Sequence, residues 1–110
     1  MPTPLLLILT TAPDQETARL LAKSLVEQRL AACVNILPQA TSIYEWKGKV
    51  ELSDESLLLI KSTRQNYPAV EEALREQHPY ELPEIIAVPV EQGLQDYLDW
   101  VERCTDTDIS

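Results

Sequence analysis

The chain has 110 residues, which fits one domain over residues 1–110, and 45 % of them are apolar, enough for a hydrophobic core. No apolar run approaches the roughly 18 residues of a membrane-spanning helix, and the short run Leu5–Leu9 lacks the basic flank of a signal peptide. The two cysteines, Cys33 and Cys104, form no CxxC motif. They predict reduced thiols in a cytoplasmic protein rather than a disulfide framework.

The net charge of −9 at pH 7 lies entirely in the last forty residues. Residues 1–70 carry seven acidic and seven basic side chains, whereas residues 71–110 carry eleven acidic side chains against Arg75 and Arg103. Such a surface repels phosphate backbones, so nucleic acid is not expected as a partner. It would attract cations loosely, although a solvated, solubilising surface is the commoner reason for such charge.

Strand and helix patterns alternate at short intervals from the start of the chain. The apolar run Leu5–Thr11 predicts a buried strand. Asp14 predicts the N-cap of a helix. Apolar residues then recur every three or four positions, which predicts a core-facing stripe made of Ala18, Leu21, Ala22, Leu25 and Val26.

A long β-hairpin is predicted in the middle of the chain. The segments Ala32–Leu37 and Thr41–Trp46 form a strand pattern interrupted by Pro38, and Lys47-Gly48 suits a two-residue turn because glycine tolerates positive φ. The return strand ends in Leu57–Ile60, a continuous apolar run typical of a strand buried on both faces.

The last part of the chain predicts a helix, a strand and a further helix. Asn66 and Pro68 open the first helix and His78-Pro79 ends it, since a residue before proline avoids the helical region. A strand follows over Glu84–Val90, and a short helix follows with the apolar positions Leu94, Tyr97, Leu98 and Val101. The order β-α-β-β-α-β plus a C-terminal helix is the α+β, ferredoxin-like pattern, a sandwich with helices on one face of a four-stranded antiparallel sheet.

The predicted hairpin is long for a domain of this size. Arms of about 14 residues would run roughly 45 Å, whereas a compact chain of this length is about 34 Å across. The tip over residues 44–52 should therefore project with its apolar side chains exposed: Tyr44, Trp46, Val50 and Leu52. A neighbouring subunit would cover them, so the sequence predicts an oligomer; a ribbon bent back at Pro38 or at residues 53–56 is the alternative.

With these elements in place, the chain resembles the divalent-cation tolerance (CutA) family over roughly residues 5 to 103. The stretches that carry the resemblance are Thr11–Asp14, Leu30–Ile36, Ser42–Lys49, Leu59–Thr63, His78–Ile86 and Tyr97–Trp100. The resemblance implies a ferredoxin-like subunit, a homotrimer joined by strand pairing between subunits, and a link to copper and other divalent metals. It implies no established reaction, so an enzyme is not expected.

Two positions depart from metal-linked relatives in this family. Thr10 stands where some carry a cysteine at the end of the first strand, and Gln77 stands where some carry a histidine. Loss of a thiolate and an imidazole weakens any copper site, so weak binding of Cu²⁺ or another divalent metal is expected.

Three residues are candidate metal ligands. His78, the single histidine, can offer an imidazole near neutral pH, although a lone histidine beside proline is more often a packing or capping residue. Glu84 starts a strand and could approach His78 across the intervening turn. Cys33 could offer a thiolate, but its small apolar neighbours also suit a buried, inert thiol.

Four further residues are candidates for a cleft or interface. Tyr44, Trp46 and Tyr80 could line a cleft between subunits, and packing explains them equally well. Lys61 ends an apolar strand and could meet an anionic ligand, but an ion pair with a carboxylate is the favoured interpretation.

A signalling or ligand-sensing trimer of the PII-like kind is the alternative function on the same fold. Such proteins carry a long loop between the second and third strands, for which the Lys47-Gly48 turn leaves no room. A small enzyme is the other alternative, yet no nucleophile–base motif occurs in the sequence.

Overall fold

The computed structural model describes residues 3–106, which form a four-stranded antiparallel sheet and three α-helices. In chain order the elements are β1 (Leu5–Ala12), α1 (Gln15–Glu27), β2 (Cys33–Trp46), β3 (Lys49–Thr63), α2 (Tyr67–Gln77), β4 (Ile85–Pro89) and α3 (Gln95–Cys104). The strand order β2-β3-β1-β4 with antiparallel pairing throughout confirms the α+β, ferredoxin-like prediction.

The ends of the predicted single domain, residues 1–2 and 107–110, lie outside the described residues, and so does the acidic Asp108. Within residues 3–106, none of the helices has the length and apolar character needed to cross a membrane.

The helix boundaries follow the local signals in the sequence. Asp14 caps α1 by accepting a hydrogen bond from the Thr17 backbone N–H at 2.7 Å, and the bonds from Thr17 hold the pKa of Asp14 below its usual value. His78 ends α2 in an extended conformation ahead of a proline, as predicted. Asn66 starts α2 without a side-chain cap, because its amide donates instead to the Thr105 carbonyl at 2.7 Å.

Two backbone irregularities shape the hairpin. Lys47 and Gly48 have φ values of 53° and 83°, the positive pair that a type I′ turn requires. Gln39 has φ of 63°, and the β2–β3 register shifts between Leu37 and Ala40, so β2 carries one extra residue there. The interruption predicted at the neighbouring proline is therefore a β-bulge within one continuous strand.

The main core lies between the sheet and helices α1 and α2. The sheet contributes Leu6, Ile8, Ala12, Leu58 and Ile60, and the helices contribute Ala18, Leu21, Ala22, Leu25, Val70, Ala73 and Leu74. Val26, which the sequence placed on this stripe, is 42 % exposed. It lies about 90° around the helix axis from the centre of the buried stripe.

The third helix departs from the expectation that all helices cover one face. Leu98 and Val101 of α3 pack on Leu5, whose side chain alternates with that of Leu6 and so points away from the main core. Helix α3 therefore covers one end of the opposite face of the sheet.

Much of the rest of that opposite face is apolar and is not covered by a described helix, although Lys61 and Asn35 also lie on it. The pairing of Leu9 with Leu59 and with Ile86 places these side chains on one surface, which we call the bare face. It consists of Leu7, Leu9, Leu37, Leu57, Leu59, Ile86 and Val88. Ile86 is 53 % exposed, and Leu57 and Leu59 are half-buried. The run Leu57–Ile60 is thus fully buried only through Leu58 and Ile60, a correction to the predicted two-sided burial.

The hairpin projects from the sheet as predicted. Strand β1 pairs with β3 only as far as the Ala12–Ser56 pair, so residues 49–55 extend beyond it with β2 as their sole strand partner within residues 3–106. The molecule is 46 Å long, and the outer part of this ribbon leaves Ile43, Val50 and Leu52 about two-thirds exposed.

Substitution of Thr10 tests the packing of the main core. Thr10 is 0 % exposed, and its Oγ1 has no hydrogen-bond partner within the described chain. Because a buried unpaired hydroxyl costs about 1–3 kcal/mol, Thr10→Val should raise the free energy of unfolding by about 1 kcal/mol in urea titrations. Ser62→Ala is the matched control: Ser62 is equally buried but donates to Leu30 O, so its loss should destabilise. A Thr10→Val protein of unchanged or lower stability would contradict the expectation.

Candidate functional site: a cleft beside the hairpin

A cleft of about 670 Å³ lies between the projecting ribbon and the segment that joins α2 to β4. The register beyond the bulge pairs Ala40 with Glu55 and Tyr44 with Glu51, so Tyr44, Trp46 and Glu55 share one side of the ribbon. The lining residues are Thr11, Ser42, Ile43, Tyr44, Glu45, Trp46, Glu55, Pro79, Tyr80, Glu81, Leu82 and Glu84.

Tyr80 and Glu55 form the central polar contact of the cleft. The Tyr80 hydroxyl donates to Glu55 Oε2 at 2.6 Å, and Glu55 is only 8 % exposed. Burial, together with the hydrogen bond and negative charge of Glu55, raises the pKa of Tyr80 well above its ordinary value. Tyr80 therefore stays protonated as a donor at neutral pH, and its stabilising effect is lost only as pH rises beyond about 10.

His78 lies behind this contact, at the end of α2. Its Nδ1 accepts a hydrogen bond from the Tyr80 backbone N–H at 3.1 Å, so Nε2 carries the proton and donates to the Thr11 carbonyl at 2.6 Å. The His78 and Tyr80 rings also lie 4.8 Å apart. Both nitrogens of a buried imidazole are thus in use, and a metal could bind His78 only after one of these bonds opened.

The structure brings some of the predicted site residues together and separates others. Tyr44, Trp46, Tyr80 and Glu84 line the cleft. Lys61 and Cys33 instead face each other across the β2–β3 pair, at the end of the sheet far from the turn.

Lys61 and Cys33 form a separate local cluster. Lys61 donates to Asn35 Oδ1 and its Nζ lies 3.9 Å from Cys33 Sγ, so the ammonium is bonded to an uncharged amide oxygen rather than to the carboxylate favoured from the sequence. Cys33 is half-buried rather than fully enclosed. Among residues 3–106, no three His, Cys, Asp or Glu side chains are grouped as metal ligands. Metal binding by His78, Glu84 and Cys33 stays a prediction.

Sequence reasoning missed the main polar residue of the cleft. Glu55 is an acidic residue close to the apolar residues Leu57 and Leu58 of the same strand. Its position beside this apolar run was the signal that could have marked it as a site residue. Glu45 and Glu81 were missed as well, because their proximity depends on the loop after α2. None of the lining residues within the described chain is a lysine or an arginine.

A double-mutant cycle on Tyr80 and Glu55 tests whether the contact stabilises the chain. Tyr80→Phe should lower the free energy of unfolding by about 1.5–3 kcal/mol, because it removes a donor from a buried carboxylate. With Glu55→Gln and the double variant, chemical denaturation at pH 7 should give a coupling energy of about 0.5–3 kcal/mol. Strict additivity would show that the two side chains do not interact in solution.

Comparison with known proteins places the chain in a family. A family model described as CutA1 divalent ion tolerance protein matches residues 6–104. The chain is 50 % identical over 98 residues to the divalent-cation tolerance protein CutA of Thermus thermophilus, covering 89 % of this chain and 95 % of that protein. It is 52 % identical over 97 residues to Protein CutA of Mus musculus, covering 88 % of this chain. The chain spans only 55 % of the mouse protein.

The solved structures agree with the sequence relatives. CutA from Xylella fastidiosa superposes with a TM-score of 0.93 at 44 % identity, over 94 % of this chain and 100 % of that one. The Thermus thermophilus structure gives a TM-score of 0.90 at 48 % identity, over 92 % of this chain and 98 % of that one. Because the family model and these relatives cover most of its length, the chain belongs to the CutA1 divalent ion tolerance family.

Proposed function

We propose that the chain acts in divalent-cation tolerance as a homotrimer that binds Cu²⁺ or another divalent cation weakly and catalyses no reaction of its own. The observation that carries the trimer is the bare face together with the projecting ribbon. The family is named for cation tolerance rather than for a reaction, which agrees with a binding or assembly role.

Two surfaces of the chain favour association with copies of itself. On the bare face, Ile86 and Val88 are 53 % and 44 % exposed. A contiguous exposed apolar surface of this kind is typical of a protein–protein interface. Within the part of the chain that the structure describes, strand β4 pairs only with β1, and residues 49–55 of β3 pair only with β2, so both have an open edge. A ring of subunits could pair one edge with the other and cover the bare face at its centre.

Light scattering at micromolar concentration should give three times the chain mass of 12.4 kDa. Ile86→Lys places a charge on the bare face and should reduce this mass. The matched control is Leu20→Lys, since Leu20 is 64 % exposed on α1, away from the bare face, and should leave the mass unchanged. A monomeric wild-type protein at all concentrations would refute the trimer.

The metal proposal rests on charge and on Glu84. The acidic cleft and the acidic last part of the chain attract cations, and Glu84 offers a carboxylate at the cleft. His78 would join only after releasing Thr11 or Tyr80, and half-buried Cys33 lies at the far end of the sheet. Ligands from a neighbouring subunit or water would have to complete the shell, which is consistent with weak binding.

Calorimetric titration with Cu²⁺ and with Zn²⁺ tests this proposal. Cu²⁺ should bind more tightly than Zn²⁺, and Glu84→Gln should weaken Cu²⁺ binding by about ten-fold, as loss of a charged ligand predicts. Glu72→Gln removes an exposed carboxylate of α2 and is the control. Weaker Cu²⁺ binding by His78→Ala would show that the imidazole releases one of its hydrogen bonds and binds the metal. Equal Cu²⁺ affinities of the Glu84→Gln and Glu72→Gln variants would show that the protein attracts cations only diffusely.

The cellular compartment of the protein is part of the same proposal. We infer a cytoplasmic protein from the free thiols Cys33 and Cys104. Relatives differ in this respect, since the Arabidopsis thaliana protein is named chloroplastic and the Archaeoglobus fulgidus structure is described as periplasmic.

A further inference from the structure

We propose that the cleft binds a small organic cation, an alkylammonium group held between the aromatic rings and the glutamates that line it. This proposal adds a ligand class to the cleft. It does not depend on metal binding, and every residue it invokes belongs to one chain. In the proposed trimer a neighbouring strand paired with residues 49–55 would form the rim of this cleft, and the ligand would bind beside it.

The first argument is the charge of the lining. Four glutamates border the cleft, namely Glu45, Glu55, Glu81 and Glu84, with no lysine or arginine among the lining residues of the described chain. The Glu45 side chain alternates with Tyr44 and Trp46 and points to the other side of the ribbon, which leaves the other three as the carboxylates available to the cleft. Carboxylates in a partly enclosed cavity repel each other and favour a cation that enters among them. The complementary ligand is therefore positively charged.

The second argument is the state of Glu55. Its side chain is 8 % exposed, and Oε2 accepts the Tyr80 hydrogen bond, which leaves Oε1 available to a ligand in the cleft. A buried carboxylate with one oxygen held by a phenol is positioned before any ligand arrives. An ammonium group could donate to the other oxygen in a charge-assisted bond.

The third argument is the aromatic wall. Trp46, Tyr44 and Tyr80 line the same cleft, and the Tyr44 hydroxyl is hydrogen-bonded to Ser53 at 2.8 Å, which restrains that ring. The Lys47 ammonium already lies 5.7 Å from the centre of the Trp46 ring. This contact occupies one face of the Trp46 ring, so an alkylammonium ligand would use the other face or displace the Lys47 ammonium.

The size of the cleft and the spacing of its carboxylates favour an extended organic cation over tight binding of a single metal ion. No three acidic, histidine or cysteine side chains of residues 3–106 converge on one point, so the glutamates are too dispersed for one bare ion. A cavity of about 670 Å³ nevertheless lies within the range of small-molecule sites, roughly 300–1,000 Å³. A ligand several carbons long could contact separate carboxylates through ammonium groups while its methylenes lie on the rings.

A second copy of the chain is the rival occupant. Insertion of an apolar segment would bury up to three carboxylates without counter-charges, which is costly. Only a segment with its own lysines would fit, so in that case cleft substitutions should change the oligomeric mass rather than ligand affinity.

Isothermal titration with butane-1,4-diammonium tests the proposal, with uncharged butane-1,4-diol as the matched probe. The diammonium should bind wild-type protein and the diol should not. Glu55→Gln and Trp46→Leu should each weaken binding by about ten-fold or more, as loss of a charge-assisted bond or an aromatic face predicts. Glu72→Gln, outside the cleft, should bind as the wild type does.

Thermal melts and light scattering of each variant separate the outcomes. Tyr80→Phe keeps the ring and should retain binding better than Glu55→Gln, which guards against a Glu55 variant that fails to fold. The proposal is overturned if the diol binds as well as the diammonium, if no binding occurs at millimolar diammonium, or if folded Glu55→Gln binds normally. A change in oligomeric mass on substitution of Trp46 or Glu55, without loss of affinity, would assign the cleft to a second copy instead.

Discussion

The length of β3 is the constraint on which the rest of the structure depends. Its fifteen residues pair with β2 along almost all of their length, but β1 reaches only from Ser56 to Thr63. Residues 56–63, the lower half of β3, therefore form a central strand with helices α1 and α2 on one face and the bare face on the other. The upper half is a two-stranded ribbon without a core of its own. The cleft exists because this ribbon rises beside the chain that leaves α2.

A short chain of hydrogen bonds joins the ribbon to the body of the molecule. His78 ties the end of α2 to the Thr11 carbonyl of β1, its other nitrogen holds the backbone of Tyr80, and the Tyr80 hydroxyl holds Glu55 of β3. Three elements thus meet through three side chains. Each of these three hydrogen bonds pairs a donor with an acceptor, so the wall of the cleft is preorganised, and His78 positions Tyr80.

The local pattern of the sequence predicted most of the fold but only part of the site. Caps, turn residues and apolar periodicity act over a few positions, so Asp14, Gly48 and the β-α-β-β-α-β order could be read directly. The placement of α3 on the opposite face could not, because it depends on Leu5 pointing away from its neighbours. Glu55 was missed for a related reason: its partner Tyr80 is 25 positions away, and only the folded loop brings them together.

The bulge at Gln39 has a consequence for comparing chains of this kind. Leu37 pairs with Leu57 and Ala40 pairs with Glu55, so the bulge absorbs one extra residue of β2 without changing the pairing on either side of it. Deleting a single residue at 38 or 39 would therefore give a regular strand in which Tyr44 and Trp46 stay on the side of Glu55. An alignment gap of one position there is thus compatible with the same cleft lining, provided that the aromatic residues are retained.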